Sequence, residues 1–156
     1  MTYDITTRKL TPQSVLVVRR SVKPTAIAQA LGEMFGQVYL HAQRTGAALA
    51  GPPFARYLDC PPGLWTIEAG MPVLAVSPNS QNVAVVEATL PGGLAAFTVH
   101  TGPYDKLPEA HVAIQRWMEA EGRVAAGPQW ESYITDPANY PDPKDWKTEI
   151  FLPLAS

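Results

Sequence analysis

A glutamate lies inside the last apolar stretch of the chain, which reads WKTEIFLPL over residues 146–154. A carboxylate on a half-buried strand is either turned to water or held in a site, where it can pair with a cation or act as a general base. Side chains alternate between the two faces of a strand, so Glu149 and Phe151 share one face while Thr148 and Ile150 share the other. We expect helices to cover the second face, which leaves Glu149 and Phe151 on the face that can bind a ligand.

Other aromatic and acidic residues extend this predicted site. The sequence WTIEAGMPV, residues 65–73, repeats the pattern above and makes Glu68 the counterpart of Glu149. Glu131 and Tyr133 lie on the neighbouring strand, and Tyr57 lies on its counterpart in the first half. Tyr104 lies where a strand gives way to a helix, and Tyr140 lies in a proline-stiffened loop over the mouth of the site. In full, the predicted ligand-binding residues are Glu149, Glu68, Tyr133, Tyr57, Tyr104, Phe151, Glu131 and Tyr140.

The other reactive side chains lack a pattern that supports chemistry. Cys60 lies between an aspartate and two prolines with no local base, and it is predicted to be an unreactive loop thiol. His41 and His100 do not have the spacing of metal ligands, so neither a metal site nor another cofactor is predicted. Trp117 and Trp146 fall on the predicted helix stripe and on the helix-facing side of the last strand, which assigns both to the core.

Apolar periodicity predicts one order of elements twice: strand, strand, helix, strand, strand. The first helix is predicted to begin at the N-cap Thr25 and to end at Gly46, because glycine readily adopts the backbone of a C-terminal cap. The second helix is predicted to begin at Asp105 and to end at Gly122. The inward stripes are predicted to be Ile27, Leu31, Met34, Val38 and Ala42 in the first helix, and Leu107, Ala110, Ile114, Trp117 and Met118 in the second.

The two halves also match residue by residue. The glycines that end the helices, the tryptophans that open the last strands and the glutamates within those strands align in order. This internal repeat covers residues 1–77 and 83–154 of a single domain, residues 1–156, and the polar segment at residues 77–82 is the predicted joint. Two related halves can pack about a pseudo-twofold axis, and a cleft then forms between equivalent strands.

Composition narrows the setting of the protein. The 156 residues carry 12 Lys and Arg against 14 Asp and Glu, a formal net charge of −2, and the longest basic run is Arg19-Arg20. Direct nucleic-acid binding is therefore not expected, because phosphate contacts need clustered cations. A single cysteine fits a reducing, cytoplasmic compartment. No window approaches 18 apolar residues and the start has no signal-peptide core, so neither a membrane span nor export is predicted.

Three segments, in order, carry a resemblance to a known family: HTGPYDKLPEAHVAIQRWMEAEG, GPQWESYITDP and DWKTEIFLPL. They resemble the effector-binding domain of the GyrI-like family, which is also the ligand-sensing part of AraC-type and MerR-type transcription regulators. The resemblance covers essentially the whole chain and implies an α+β fold, in which duplicated modules form an antiparallel sheet with helices packed on it and a ligand channel at the pseudo-twofold axis. It also implies a channel glutamate at Glu149 surrounded by aromatic residues. The chain has no room for a helix-turn-helix domain, so we expect the stand-alone form.

These features leave three functions open. Aromatic rings and a carboxylate both attract cations, so the first hypothesis is a cytoplasmic protein that sequesters or senses amphiphilic aromatic or cationic compounds, as a multidrug-binding domain does. The alternative follows from the resemblance, since some stand-alone family members are cyclopropanoid cyclopropyl hydrolases; Glu149 would then be a general base. A third is a protein-interaction module with an unknown partner, like family members thought to act on a topoisomerase.

Overall fold

The structure, a computed structural model, describes residues 3–74 and 84–155. Within them, the strands and α-helices follow the predicted order in each half. Their bounds are β1 Thr6–Leu10, β2 Gln13–Val22, α1 Ile27–Thr45, β3 Phe54–Asp59, β4 Trp65–Pro72, β5 Val86–Leu90, β6 Gly93–Thr101, α2 Leu107–Glu121, β7 Trp130–Tyr133 and β8 Lys147–Pro153. The predicted joint at residues 77–82 lies outside the described residues. No helix of the described ranges is long and apolar enough to cross a membrane.

The chain forms two compact units, and each contains a set of antiparallel strands and an α-helix. The central unit, Pro12–Pro91, contains antiparallel strands in the order β3-β4-β2-β5 and helix α1. The terminal unit combines Met1–Thr11 with Gly92–Ser156 and contains antiparallel strands in the order β1-β6-β8-β7 and helix α2. The predicted α+β class, with antiparallel strands and helices packed on them, is confirmed.

The first strand of each predicted half pairs outside that half. Strand β1 pairs with β6, and β5 pairs with β2, so neither of the two short connections in the sequence closes a hairpin. The physical reason lies in Pro12 and Pro91: tight two-residue hairpin turns favour positive φ, which proline cannot adopt. The compact units therefore begin and end at other residues than the predicted repeats, 1–77 and 83–154. The repeat itself stays a prediction.

Both helix ends agree with the sequence prediction, whereas both helix starts do not. Gly46 and Gly122 follow α1 and α2 with φ of 71° and 64°, in the left-handed region that favours glycine. A short 3-10 turn precedes each helix, and Thr25 and Asp105 lie inside these turns. Neither residue caps an α-helix, so the predicted N-caps are wrong.

Each helix covers one face of the sheet in its own unit. In α1 the buried residues include Met34, Val38 and Ala42, with Ile27 and Leu31 partly buried; in α2 they are Leu107, Ala110, Ile114 and Met118, with Trp117 partly buried. Strand β8 contributes Ile150 and Leu152 to the core under α2. Strand alternation then turns Glu149 and Phe151 away from α2, as predicted.

Two glycine substitutions test how tightly the central unit is packed. A Cβ on Gly70 of β4 would press against the Leu16 carbonyl oxygen and lie 2.6 Å from Val17 Cγ1, whereas a Cβ on Gly36 of α1 meets nothing within 4 Å. We expect Gly70→Ala to lower the free energy of unfolding by about 3 kcal/mol, because backbone cannot move aside. Gly36→Ala should raise it by about 0.5–1 kcal/mol through helix propensity. Urea unfolding followed by tryptophan fluorescence measures both, and equal effects would contradict this packing.

Candidate aromatic and carboxylate site

The side chains around Glu149 form two rows across three strands of the terminal unit. In the first row, Glu149 on β8 pairs with Val99 on β6 and with Ser132 on β7. Directly paired residues of antiparallel strands point to the same face, so these three side chains lie together on the face opposite α2. Val99 is 39% exposed and Glu149 is partly buried, which keeps this row in contact with solvent.

The second row is aromatic. Phe151 pairs with Phe97 on β6 and with Trp130 on β7, and the ring centroids are 5.1 Å and 5.3 Å from that of Phe151. All three side chains are buried. Because residues two apart on a strand are about 7 Å apart, the aromatic row lies beside the carboxylate row. We call the surface of Glu149, Val99, Ser132, Phe151, Phe97 and Trp130 the Glu149 face.

A cationic side chain of the protein lies against the aromatic row of this face. The guanidinium carbon of Arg8, on β1, lies 3.6 Å from the centroid of the Phe97 ring. A cation over an aromatic ring gains about 0.5–2 kcal/mol, depending on how far it is removed from water. An aromatic cation on the neighbouring rings would gain this attraction and ring stacking together.

Glu149 is the acidic group of this face, and its carboxylate has no partner among the residues that the structure describes. Across residues 3–74 and 84–155, neither a hydrogen bond nor an ion pair engages it, and Lys147, two residues before it, forms no salt bridge with it. A partly buried carboxylate without donors loses hydration that nothing in the protein replaces. A bound cation with N–H donors would restore that lost stabilisation.

Glu68, the counterpart of Glu149, has the opposite surroundings. Its side chain is fully buried in the central unit, where Arg19 Nε donates to Oε2 over 2.7 Å and Arg56 Nε donates to Oε1 over 2.9 Å. Arg56 Nη2 also lies 2.9 Å from Oε1. Two arginines therefore neutralise the carboxylate from both neighbouring strands. The sequence predicts equal roles for the two glutamates, and the structure gives them different surroundings.

Three other predicted members, Tyr133, Glu131 and Tyr57, lie on faces that the helix of their own unit covers. Tyr133 pairs with Thr148 and packs on the core under α2, while Glu131 pairs with Ile150. Tyr57 packs on the core under α1. The parity of a strand says which residues share a face but not which face, and only the register with the next strand decides that. Ligand contact by these residues stays a prediction.

Glu131 belongs to a hydrogen-bonded group beneath α2. Tyr133 donates its hydroxyl to Glu131 Oε1 over 2.8 Å, and His111 Nε2 lies 2.5 Å from Glu131 Oε2. The ring of Tyr104 is 5.5 Å from that of Tyr133 and 4.7 Å from that of Trp146. This group satisfies its own carboxylate, so it offers less to an external cation than Glu149 does.

Two further predicted members of the site lie beside this group: Tyr104, in the 3-10 turn before α2, and Tyr140, in the loop between β7 and β8. Burial raises the pKa of the Tyr104 hydroxyl, and the negative charges of Asp136 and Glu131 raise it further, so the hydroxyl remains a donor at neutral pH. Tyr140 is 46% exposed, and its carbonyl oxygen accepts a hydrogen bond of 2.6 Å from Trp146 Nε1. A role for Tyr140 over the mouth of a ligand channel, and the channel itself, stay predictions.

Four residues of the Glu149 face are not among the predicted ligand-binding residues: Phe97, Val99, Trp130 and Ser132. The alternation of WESY placed Trp130 and Ser132 together, but it could not assign them to the face of Glu149 before the register of β7 and β8 was known. No group of three or more His, Cys, Asp or Glu side chains that could hold a metal ion lies in the described part of the chain.

Comparison with known proteins gives the family of this α+β domain. The family model described as the GyrI-like small molecule binding domain matches residues 2–155. The chain therefore belongs to the GyrI-like family, as the resemblance of its motifs predicted. A search of the curated proteins finds no match.

Solved structures share this fold along nearly the whole chain. The EcmrR C-terminal domain is 24% identical with a TM-score of 0.86, over 100% of this chain and 99% of that one. A hydrolase from Listeria innocua is 15% identical with a TM-score of 0.68, over 97% and 91% of the two chains. SAV2435, solved with tetraphenylphosphonium bound, is 13% identical with a TM-score of 0.63, over 100% and 95%.

Proposed function

We propose that this protein binds amphiphilic aromatic cations on the Glu149 face, and that it sequesters or senses such compounds in the cytoplasm. The observation that carries the proposal is a partly buried carboxylate, without a partner in the described residues, beside a row of three aromatic side chains. Glu149 supplies negative charge beside these rings, so the complementary ligand is a cation with an aromatic body.

Each part of such a ligand has a counterpart on the Glu149 face. A cationic head group can donate N–H hydrogen bonds to the carboxylate of Glu149, and the hydroxyl of Ser132, paired with it on β7, can accept a further N–H. The aromatic body can stack beside Phe151 and Trp130. SAV2435 shares the fold and was solved with an aromatic cation, tetraphenylphosphonium, which supports the same ligand class here.

A matched pair of probes tests the charge requirement. 2-Naphthamidinium and 2-naphthamide have the same rings and nearly the same shape, but only the first is a cation. We expect saturable binding of the amidinium that is tighter than binding of the amide by about 1–3 kcal/mol, the scale of a charge-assisted contact. Isothermal titration calorimetry at low salt gives both affinities. Equal affinities would rule out the proposed ligand class.

A second candidate is hydrolysis of a reactive, cyclopropane-bearing compound. The unpartnered carboxylate favours it, because Glu149 could take a proton from water while the water oxygen bonds to a ring carbon, the strained C–C bond breaks and the released carbon is protonated. The Listeria innocua hydrolase shares the fold, which is consistent with this chemistry. Mass spectrometry of such a compound after incubation separates the candidates: a hydrolase yields the water adduct catalytically, and a binder returns the compound unchanged.

A further inference from the structure

The two glutamates of the internal repeat lie in equivalent places of their sheets but have different neighbours. Glu68 pairs across the sheet with Arg19 on one side and Arg56 on the other. Glu149 pairs in the same way with Val99 and Ser132. Positions 19 and 56 of the central unit thus correspond to positions 99 and 132 of the terminal unit, and both glutamates face away from the helix of their unit.

The arginines supply Glu68 with what a cationic ligand would supply. Both carboxylate oxygens accept guanidinium N–H groups at 2.7 and 2.9 Å, and the carboxylate is fully buried with its charge compensated. The side chain of Val99 has no hydrogen-bond donor, and the side chain of Ser132 carries no charge. Where the central unit places two guanidinium groups, the terminal unit leaves the carboxylate to external donors.

We propose that residues 99 and 132 determine which glutamate of the repeat is open to ligands, and that the arginines hold Glu68 closed as built-in substitutes for a ligand. This inference rests on the proposed function. The chain then binds one cationic head group, at Glu149, and the best head group is planar and rich in N–H, as in an amidinium or guanidinium. Such a group gives a carboxylate two parallel hydrogen bonds, which a quaternary ammonium cannot give.

Transplanting the arginines tests this directly. The double variant Val99→Arg and Ser132→Arg recreates the surroundings of Glu68 around Glu149. Val99 is 39% exposed and Arg19 is 53% exposed, so a long side chain at position 99 can extend to solvent. We expect the affinity for 2-naphthamidinium to fall at least about tenfold, since a charge-assisted contact contributes on that scale. Calorimetry should give one site per chain in the wild type.

A neutral double variant separates charge from bulk. Val99→Met with Ser132→Gln adds similar length without a cation. Both residues belong to the Glu149 face, so the affinity for both probes should fall, but 2-naphthamidinium should lose no more affinity than 2-naphthamide. Circular dichroism shows whether the double variant folds. If it does not, Val99→Arg alone is measured, and it should also lower the affinity for 2-naphthamidinium.

The possible results distinguish failure of this inference from failure of the proposed function. Wild-type affinity in the arginine variants, or two sites per chain in the wild type, overturns the inference while the proposed function stands. An equal loss of preference in the neutral variant also overturns it, because bulk alone would then explain the effect. If the wild type itself does not prefer the amidinium, the proposed function fails, and this inference fails with it.

Discussion

Replacement of Glu149 by glutamine is expected to weaken the binding of 2-naphthamidinium by about 1–3 kcal/mol. Glutamine keeps the size of the side chain and its ability to hydrogen bond, but it removes the negative charge and the ability to accept a proton as a base. No other described group neutralises Glu149, so the loss should come from the ligand contact and not from a broken ion pair in the protein. Titration calorimetry on wild type and variant measures the change.

The neutral probe and a second glutamate provide the controls. Binding of 2-naphthamide should change little in Glu149→Gln, because the rings of Phe151 and Trp130 remain in place. Glu131→Gln should leave amidinium binding close to that of the wild type, since Glu131 already accepts hydrogen bonds from Tyr133 and His111. A variant at position 149 with wild-type affinity for the cation would assign Glu149 to the solvated surface.

Replacement of Arg56 by leucine is expected to cost about 3 kcal/mol of the free energy of unfolding. Glu68 is fully buried and Arg56 is only 12% exposed, so the variant leaves a buried carboxylate with the single contact from Arg19. Breaking a buried ion pair costs about 3–5 kcal/mol, and the remaining contact places the expected loss at the lower end. Urea unfolding followed by tryptophan fluorescence measures it.

The exposed pair in the same unit is the matched control. Arg20 Nη1 lies 2.6 Å from Glu33 Oε1, with the two side chains 34% and 51% exposed. Arg20→Leu should therefore cost no more than about 1 kcal/mol, as for other surface salt bridges. Adding Glu68→Leu to Arg56→Leu should recover much of the lost stability, because a buried pair and an apolar pair are of comparable stability. Equal effects of Arg56→Leu and Arg20→Leu would show that the Glu68 pair is not desolvated.

Local sequence signals predicted the elements well and the pairing of strands poorly. Left-handed glycines such as Gly46 end helices for a reason that lies in the residue itself, so the sequence is sufficient there. Strand β1 pairs with β6, and β5 pairs with β2. These pairings depend on which strands become neighbours when the chain folds. Pro12 and Pro91 opposed hairpins, but they did not specify the partner that replaced them.

The same limit applies to the site. The position of Glu149 within an apolar strand is visible in the sequence, and its face followed from alternation together with the expectation that a helix covers the other side. The faces of Tyr133 and Trp130 did not, because a shift of one residue in the register exchanges them. The difference between Glu149 and Glu68 depends on side chains from neighbouring strands: Arg19 and Arg56 are 49 and 12 residues from Glu68 in sequence. Repeated motifs therefore predicted matching glutamates but not their different partners.

A crystal structure of the protein with 2-naphthamidinium bound tests the central claim most directly. We expect amidinium nitrogens within hydrogen-bonding distance of the Glu149 carboxylate, about 2.7–2.9 Å for a charged pair, with the rings stacked beside Phe151 and Trp130. We also expect Arg19 and Arg56 to remain on Glu68. A ligand held at Glu131 beneath α2, with Glu149 in contact with solvent only, would contradict the account.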